Sequence, residues 1–411
     1  MDQRSGTRKF VSDSIKRLEN WLKNNNGYNG YDPHDVKGAP IFLYFLRPKH
    51  NVFIKVIRRP FFYFIDYFPM LSRKIFGIGK TINAKGIALF AKGYLNLYQL
   101  YGDERYKKSA VECLDWLMQN RAKGVKYDGW GYPFDWQSGV YTPKGTPASV
   151  VTAAVGDAFW SAWKILKEEK YLSTCISISN FFLNDLNIDR IDDETICFSY
   201  TPLDKFHVHN ANLLVAEYII RVGKEIGNED FIAKGLSAGS YALKEQNANG
   251  SIFYWAKDQN FYSPNTVDHY HSGFEIRCLY GIWKLTGKEE YRTSYTRYYE
   301  FYLDNLLLKQ NDGSAFPKML PHALYPVNIH SCAEAIILNS QLLEKHVQPR
   351  SFIDPMVHSI IEKMQNGNGS FSYMIRKVGG MIYHDRTPYI RWGQAWMFLA
   401  LTEYLVSTEK E

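Results

Sequence analysis

Over most of this chain, apolar residues recur with the period of an amphipathic helix. In HNANLLVAEYIIRVGKEIG, residues 209–227, and HSGFEIRCLYGIWKLTG, residues 271–287, they return at i, i+3, i+4 and i+7. Each run stops at a glycine and meets an acidic start at once, Gly-Asn-Glu-Asp at 227–230 and Gly-Lys-Glu-Glu at 287–290. A glycine stop followed by an acidic start spells a tight helix–helix connection. Second helical patterns follow over 228–246 and 288–307. The first helix of each pair is the more apolar, which predicts that it is enclosed and its partner lies outside. Strand-like alternation is scarce.

The pairs are separated by a recurring phrase. KEQNANGSIFYW (244–255), LKQNDGSAFP (308–317) and EKMQNGNGSFSY (362–373) each run from a helical pattern through Asn/Gly punctuation to Gly-Ser and an aromatic ring. Looser copies are WLMQNRAKGVKYDGWGYPF (116–134), FLNDLNIDRIDDETICFSY (182–200) and WLKNNNGYNGYDP (21–33). Gly129, Thr195, Gly250, Gly313 and Gly369 therefore form a ladder, and a longer gap leads back to Gly27. Six such units predict an all-α fold, an (α/α)6 toroid of six helical hairpins occupying 1–411 as one domain. An open helical solenoid is the alternative.

In every unit the loop after the phrase leads into the inner helix, so one topological position recurs six times and its residues converge at one mouth. They are Asn83; Thr146; His207, His209, Asn210 and Asn212; Asp268, His269 and His271; Asn328, His330, Ser331 and Glu334; and Arg391 with Gln394. Asp268, Thr146 and Asn328 also suit helix caps. Histidine is a weak cap, which makes His209, His271 and His330 candidates for chemistry. Were all three to converge, they could instead hold a metal ion. The loops feeding the mouth, 127–137 and 253–262, carry Trp130, Trp136, Tyr254 and Trp255, rings that either stack on sugar faces or pack the loops.

Charge singles out one segment. The net charge is +7. Residues 41–80 contain eight Lys and Arg, among them Arg73 and Lys74, against Asp66 alone. This basic aromatic insertion interrupts the first repeat, and Pro48, Pro60 and Pro69 cut it into pieces too short to span a bilayer. It suits a cover over the barrel, a peripheral contact with an anionic membrane, or a basic lid that steers a polyanion. Nothing points to nucleic acid. The five cysteines form no C-x-x-C pair, and the first residues lack the apolar core of a secretory signal. Both features fit a cytoplasmic protein, peripheral at the inner membrane if the insertion binds lipid. GIGKT at 77–81 is no phosphate loop, because Lys74 stands where its first glycine belongs.

The phrases SYTPLDKFHVHNANLL, DHYHSGFE, YPVNIHSCAEAI and YIRWGQAWMFLAL, within 83–407, resemble a bacterial and archaeal family of six-hairpin-glycosidase-like toroids found with capsule and exopolysaccharide genes. The resemblance implies the toroid and a glycan as partner, and a membrane-bound insertion would suit a lipid-linked oligosaccharide; the resemblance carries no residue's role. The wider class includes glycoside hydrolases, uronate lyases and epimerases, terpene cyclases and lanthionine cyclases. The last two are disfavoured: no Cys-Cys-His zinc pattern occurs, and Asp192-Asp193 lies in a turn rather than a D-x-D-D motif. A hydrolase needs two facing carboxylates, and Asp135, Asp157, Asp268 and Glu334 make no convincing pair.

The recurrent His, Asn, Tyr and Arg suit abstraction of the C5 proton of a uronate without a cofactor, as an epimerase or lyase performs it. In that reading His271, His330 and His209 are base or electrostatic groups, and Tyr270 or Tyr254 is the proton donor. Asn210, Asn212 and Arg391 bind the carboxylate. Asp268, Glu334, Asp135, Trp130, Trp136 and Trp255 complete the substrate contacts. A toroidal glycosidase and a non-catalytic glycan-binding assembly factor are the competing readings.

Overall fold

The computed structural model describes residues 3–47, 52–257, 259, 266–309, 315–343 and 349–409. Among these, α1 (Gln3–Asn24) comes first, followed by three shorter helices, α2 (Pro40–Leu46), α3 (Val52–Tyr67) and α4 (Pro69–Ile75). Helices then come in pairs: α5 (Ala84–Tyr101) with α6 (Glu104–Gln119), α7 (Ser149–Leu166) with α8 (Glu169–Asn184), and α9 (His209–Ile226) with α10 (Glu229–Glu245). After them come α11 (His269–Thr286) with α12 (Glu289–Asn305), α13 (Ile329–Leu343) with α14 (Arg350–Met364), and a π-helical turn, Ile390–Ala395, running into α15 (Trp396–Glu409).

The inner helices α5, α7, α9, α11, α13 and α15 each pack on the next, and α15 packs on α5 to close the ring. This is the expected toroid, closed rather than an open solenoid. The outer partner of α15 is α1, which lies against both α15 and α14. The first helix of the chain thus completes the last hairpin. Arg8 fastens this seam by donating to the Leu405 carbonyl at 2.8 Å and to the Thr408 hydroxyl at 2.7 Å. Because an inner helix is covered on both flanks and from behind, α5, α9 and α11 bury more than half of their residues, which accounts for their broad apolar surface.

Four inner helices share one register. The helices α5, α7, α9 and α11 are each 18 residues long and end on a left-handed residue, Gly102, Lys167, Gly227 and Gly287. The recurring phrase is a docking device for the outer ring. The Gln246 amide donates to the Gly250 carbonyl at 2.7 Å and to Ser294 of α12 at 3.0 Å. Gln365 does the same with Gly369 and with Ser14 of α1, both at 3.0 Å. The turn glycine must approach the next outer helix closely: a Cβ on Gly250 would meet the Arg297 carbonyl, and one on Gly369 the Arg17 carbonyl. The copy at Gly313 lies outside the described residues.

Nine short strands are present in the described loops at the mouth end. They form the hairpins β1 (Trp136–Gln137) with β2 (Tyr141–Thr142), β3 (Ile188–Arg190) with β4 (Ile196–Phe198), and β5 (Leu307–Lys309) with β6 (Ala315–Pro317). The last group is a three-stranded sheet, β7 (Val327–Asn328), β8 (Met374–Val378) and β9 (Met381–Asp385). The basic insertion folds as α2, α3 and α4 around a small core of its own, Val36, Ala39, Phe42 and Ile65. It fills the slot between an outer helix, α1, and the following inner helix, α5, the slot occupied elsewhere by mouth loops. Arg73 is not part of a solvated basic face. It is buried, bridges Asp35 at 2.7 Å and donates to the Pro69 carbonyl at 2.8 Å.

Gly369 combines a left-handed backbone (φ 96°) with a clash of a would-be Cβ against the Arg17 carbonyl, whereas Gly367 has open space. Gly369→Ala is expected to destabilise the protein by about 2–4 kcal/mol, and Gly367→Ala to be nearly neutral, as urea denaturation of the two variants would measure.

Candidate active site

One cavity of about 380 Å³ opens at the N-terminal ends of the inner ring. Its floor obeys a simple rule. The second residue of each inner element faces it: Lys85, Val150, Asn210, Tyr270, His330 and Arg391. Six helix N-termini aimed at one space also favour a negatively charged group there. The walls are aromatic, with Tyr132, Trp136, Tyr200, Tyr254 and Trp392. Asp135, His34, Lys37 and Leu46 reach the cavity from the mouth loops and the insertion.

His271 is held in place by Asp268. Asp268 caps α11, accepting the His271 backbone N–H at 3.1 Å, and its other oxygen takes the ring Nδ1 at 2.6 Å. A ring proton committed to Asp268 leaves Nε2 as the free, basic nitrogen. The Tyr254 ring lies 4.4 Å from the His271 ring and the Tyr270 ring 4.3 Å. Tyr270 is in turn stacked on His330, 4.6 Å away at 17°. His330 is enclosed by Trp392 and Trp396, both at 4.6 Å, and neither ring nitrogen has a hydrogen bond. Burial, together with the Lys85 and Arg391 charges, drives its pKa far below the usual imidazole value, so it is neutral. The Asn210 amide oxygen is likewise buried without a hydrogen-bond partner.

Two cations face this histidine array. Arg391 donates to Asp32 through both Nε and Nη2, the latter at 2.8 Å, with the pair almost wholly buried. Burial alone would raise the Asp32 carboxyl, but the Arg391 guanidinium outweighs it and holds the group below the usual range. Lys85 has rings where a salt bridge would be expected, its Nζ 5.4 Å from the Trp396 ring and 5.6 Å from Phe274. Burial, reinforced by Arg391, brings its pKa down to about 7. Lys85 was missed in the sequence, although Asn83, the cap two residues before it, was a candidate. The available signal was the register: 17 residues before each left-handed stop at 102, 167, 227 and 287 lies the cavity-facing position.

Other sequence candidates stand elsewhere. His209 is the first residue of α9, one position off the cavity-facing one, and so is rotated away. Its ring packs 5.2 Å from Tyr241, with Nε2 3.8 Å from Glu245. The three-histidine metal site therefore does not form, and no other group able to hold a metal ion occurs among the described residues. Asn212 is a structural clamp, accepting the Phe198 N–H at 3.0 Å and donating to Ala238 at 2.8 Å. Trp130 is buried with its N–H on the Leu117 carbonyl. Trp255 stands edge-on to Tyr254 and Phe206, behind the wall. Trp136, Tyr254, Asn210 and Asp135 do line the cavity.

Glu334 lies beneath the floor and takes Arg277 at 2.6 Å. It stands one turn below His330 and pairs with a second polar layer that, in α5, α7, α9 and α11, lies seven residues below the first, two helical turns down. The ninth residues of α5, α7, α9 and α11 are Lys92, Asp157, Glu217 and Arg277. Lys92 pairs with Glu403 of α15 at 3.1 Å, Arg221 of α9 with Asp157 of α7, and Arg277 with Glu334 of α13. Three cross-helix pairs thus join the six inner helices two by two and close the lumen below the site.

The low pKa of Lys85 has a consequence for stability. The unfolded chain still holds this proton between about pH 7 and about pH 10, where the folded chain has released it, so the charge destabilises the fold most at low pH. Lys85→Met is expected to stabilise the protein by about 1–4 kcal/mol at pH 6, with the gain shrinking as pH rises to 10. Denaturation at a series of pH values measures it.

No family model matches the sequence, and no curated protein matches it either. Solved structures do match in shape. A D-mannose isomerase superposes with a TM-score of 0.60 at 11% identity, over 79% of this chain and 87% of that one. Cellobiose 2-epimerase from Bacillus thermoamylovorans B4167 gives 0.60 at 11%, over 80% and 88%. The family 76 glycoside hydrolase (mannosidase) Bt3792 from Bacteroides thetaiotaomicron gives 0.59 at 10%, over 97% and 99%. At such identities the likeness establishes the shared fold: this chain is an (α/α)6 toroid.

Proposed function

We propose that this protein is a carbohydrate-active enzyme that removes a proton from a sugar carbon beside a carboxylate. It would act as a C5-epimerase or a lyase on a uronate-containing glycan. The observation that carries the reading is the Asp268–His271 dyad, 2.6 Å across, beside a neutral His330 and under two cations. His271 Nε2 takes the proton, and Asp268 stabilises the imidazolium that forms. Arg391 and Lys85 neutralise the substrate carboxylate, so that charge developing at C5 can spread into it. Tyr254 or Tyr270, whose rings both lie against His271, serves as the proton donor. Return of the proton on the other face gives epimerisation; departure of the O4 substituent gives elimination.

A glycosidase is less well supported. Among the described residues Asp135 is the one carboxylate of the cavity lining, while Asp32 is engaged by Arg391 and Asp268 by His271, and hydrolysis needs two facing carboxyl groups. A second proton-transfer reading has specific support. Two proteins of similar shape are named as a mannose isomerase and a cellobiose 2-epimerase, and the same dyad could act at C2 of a reducing sugar, beside its aldehyde.

Incubation in heavy water separates these readings. Uronate oligosaccharides are expected to gain deuterium at C5 or to form unsaturated ends. Deuterium at C2 of a neutral aldose would favour the second reading. New reducing ends with neither deuterium nor unsaturation would overturn both. His271→Ala is expected to lower the exchange rate about 10²–10⁴-fold with the helical circular dichroism unchanged, and Asp268→Asn to lower it as well by releasing the ring from its orientation.

A further inference from the structure

We propose that the insertion helices and the β8–β9 hairpin form one docking face for an anionic membrane surface, and that this face seats the mouth of the cavity at the lipid headgroups. The inference stands on the surface alone and does not depend on the reaction assigned above.

Exposed apolar side chains are concentrated there. Of the 21 large apolar residues exposed among the described residues, eleven lie in 41–75 and four in 378–383. Phe53 is 68% exposed, Tyr63 63%, Ile75 59%, Phe68 56%, Met381 74% and Ile382 58%. A stable soluble fold gains nothing by presenting such rings and chains to water, and a contiguous exposed patch marks an interaction site. The two elements are in contact: the Arg376 guanidinium of β8 stands 5.4 Å from the Tyr67 ring and donates to the Asp66 carbonyl at 3.5 Å.

Charge identifies the occupant. Exposed cations occur at Arg47, Arg59, Lys74 and Lys80 of the insertion, at Lys377 of the hairpin and at Arg386 just after it. Asp66 is the sole acid in 41–80. Aromatic and aliphatic groups together with cations suit the boundary between headgroups and acyl chains of an anionic bilayer. The attachment is peripheral. Pro60 lies within α3 and Pro69 begins α4, and no described helix is long and apolar enough to cross a membrane. The face adjoins the active cavity, because Leu46 of α2 and Lys37 just before it belong to the cavity lining. A glycan carried on a lipid would therefore meet the mouth without leaving the surface.

Flotation of the full chain with liposomes tests this. Vesicles of phosphatidylcholine mixed with phosphatidylglycerol are expected to carry the protein upward at low salt, with the bound fraction falling as salt rises. Phosphatidylcholine alone should carry much less. The combined substitution Phe53→Ser, Phe68→Ser and Met381→Ser is expected to cut partitioning about tenfold or more with the helical circular dichroism kept, and Arg59→Glu with Lys74→Glu to cut binding to the anionic vesicles specifically. The proposal is overturned if the intact protein ignores anionic vesicles at low salt, or if the apolar variant floats as well as the wild type. Self-association in sedimentation without flotation would also overturn it, giving the face to a second protein.

Discussion

The buried pair between Asp32 and Arg391 is the interaction on which the site depends. It ties a loop near the beginning of the chain to the last inner element. Stripping either partner would leave a charge without water or counter-ion, at a cost of about 3–5 kcal/mol, so the loop has to lie where the guanidinium is. That loop also supplies Asp35 to Arg73, and through Arg73 the whole insertion is fixed over the cavity. One pair thus sets the cation of the floor, the position of the rim, and the attachment of the surface patch.

The barrel interior reconciles two opposed demands. The inner helices must be apolar to pack on two neighbours and an outer ring, yet a site needs polar groups in the lumen. The solution is layered. Polar residues occupy the second position of most inner helices and a charged layer comes two turns lower, with Phe274 between the levels beside Lys85. In the lower layer every cation meets a carboxylate from another helix, so the charges satisfy each other. In the upper layer Arg391 alone is met in this way, by Asp32. Lys85, His330 and Asn210 keep unmet polar capacity, and a buried group left in that condition is costly unless a ligand uses it.

Much of this was legible in the chain itself. Helical period, glycine stops and the repeated Gln-Asn…Gly-Ser phrase fix the number of hairpins and which helix of each is enclosed, because these are local consequences of backbone geometry and burial. His271, His330, Tyr270, Arg391 and Asn210 could be found because they stand at equivalent helix starts. What local reasoning lacked was rotation. Successive helical residues point about 100° apart, so His209 and Asn210 share a helix start but not a destination: one faces Tyr241, the other the cavity. Lys85 went unnoticed beside Asn83 for the same reason. The choice of partners belongs to the tertiary structure alone. That Glu334 serves Arg277, that Asp32 holds Arg391 across 359 residues, and that the hairpin at 374–385 meets α3 through Arg376 all follow from closing the ring. Ring closure brings together residues whose separation along the chain carries no trace of their contact.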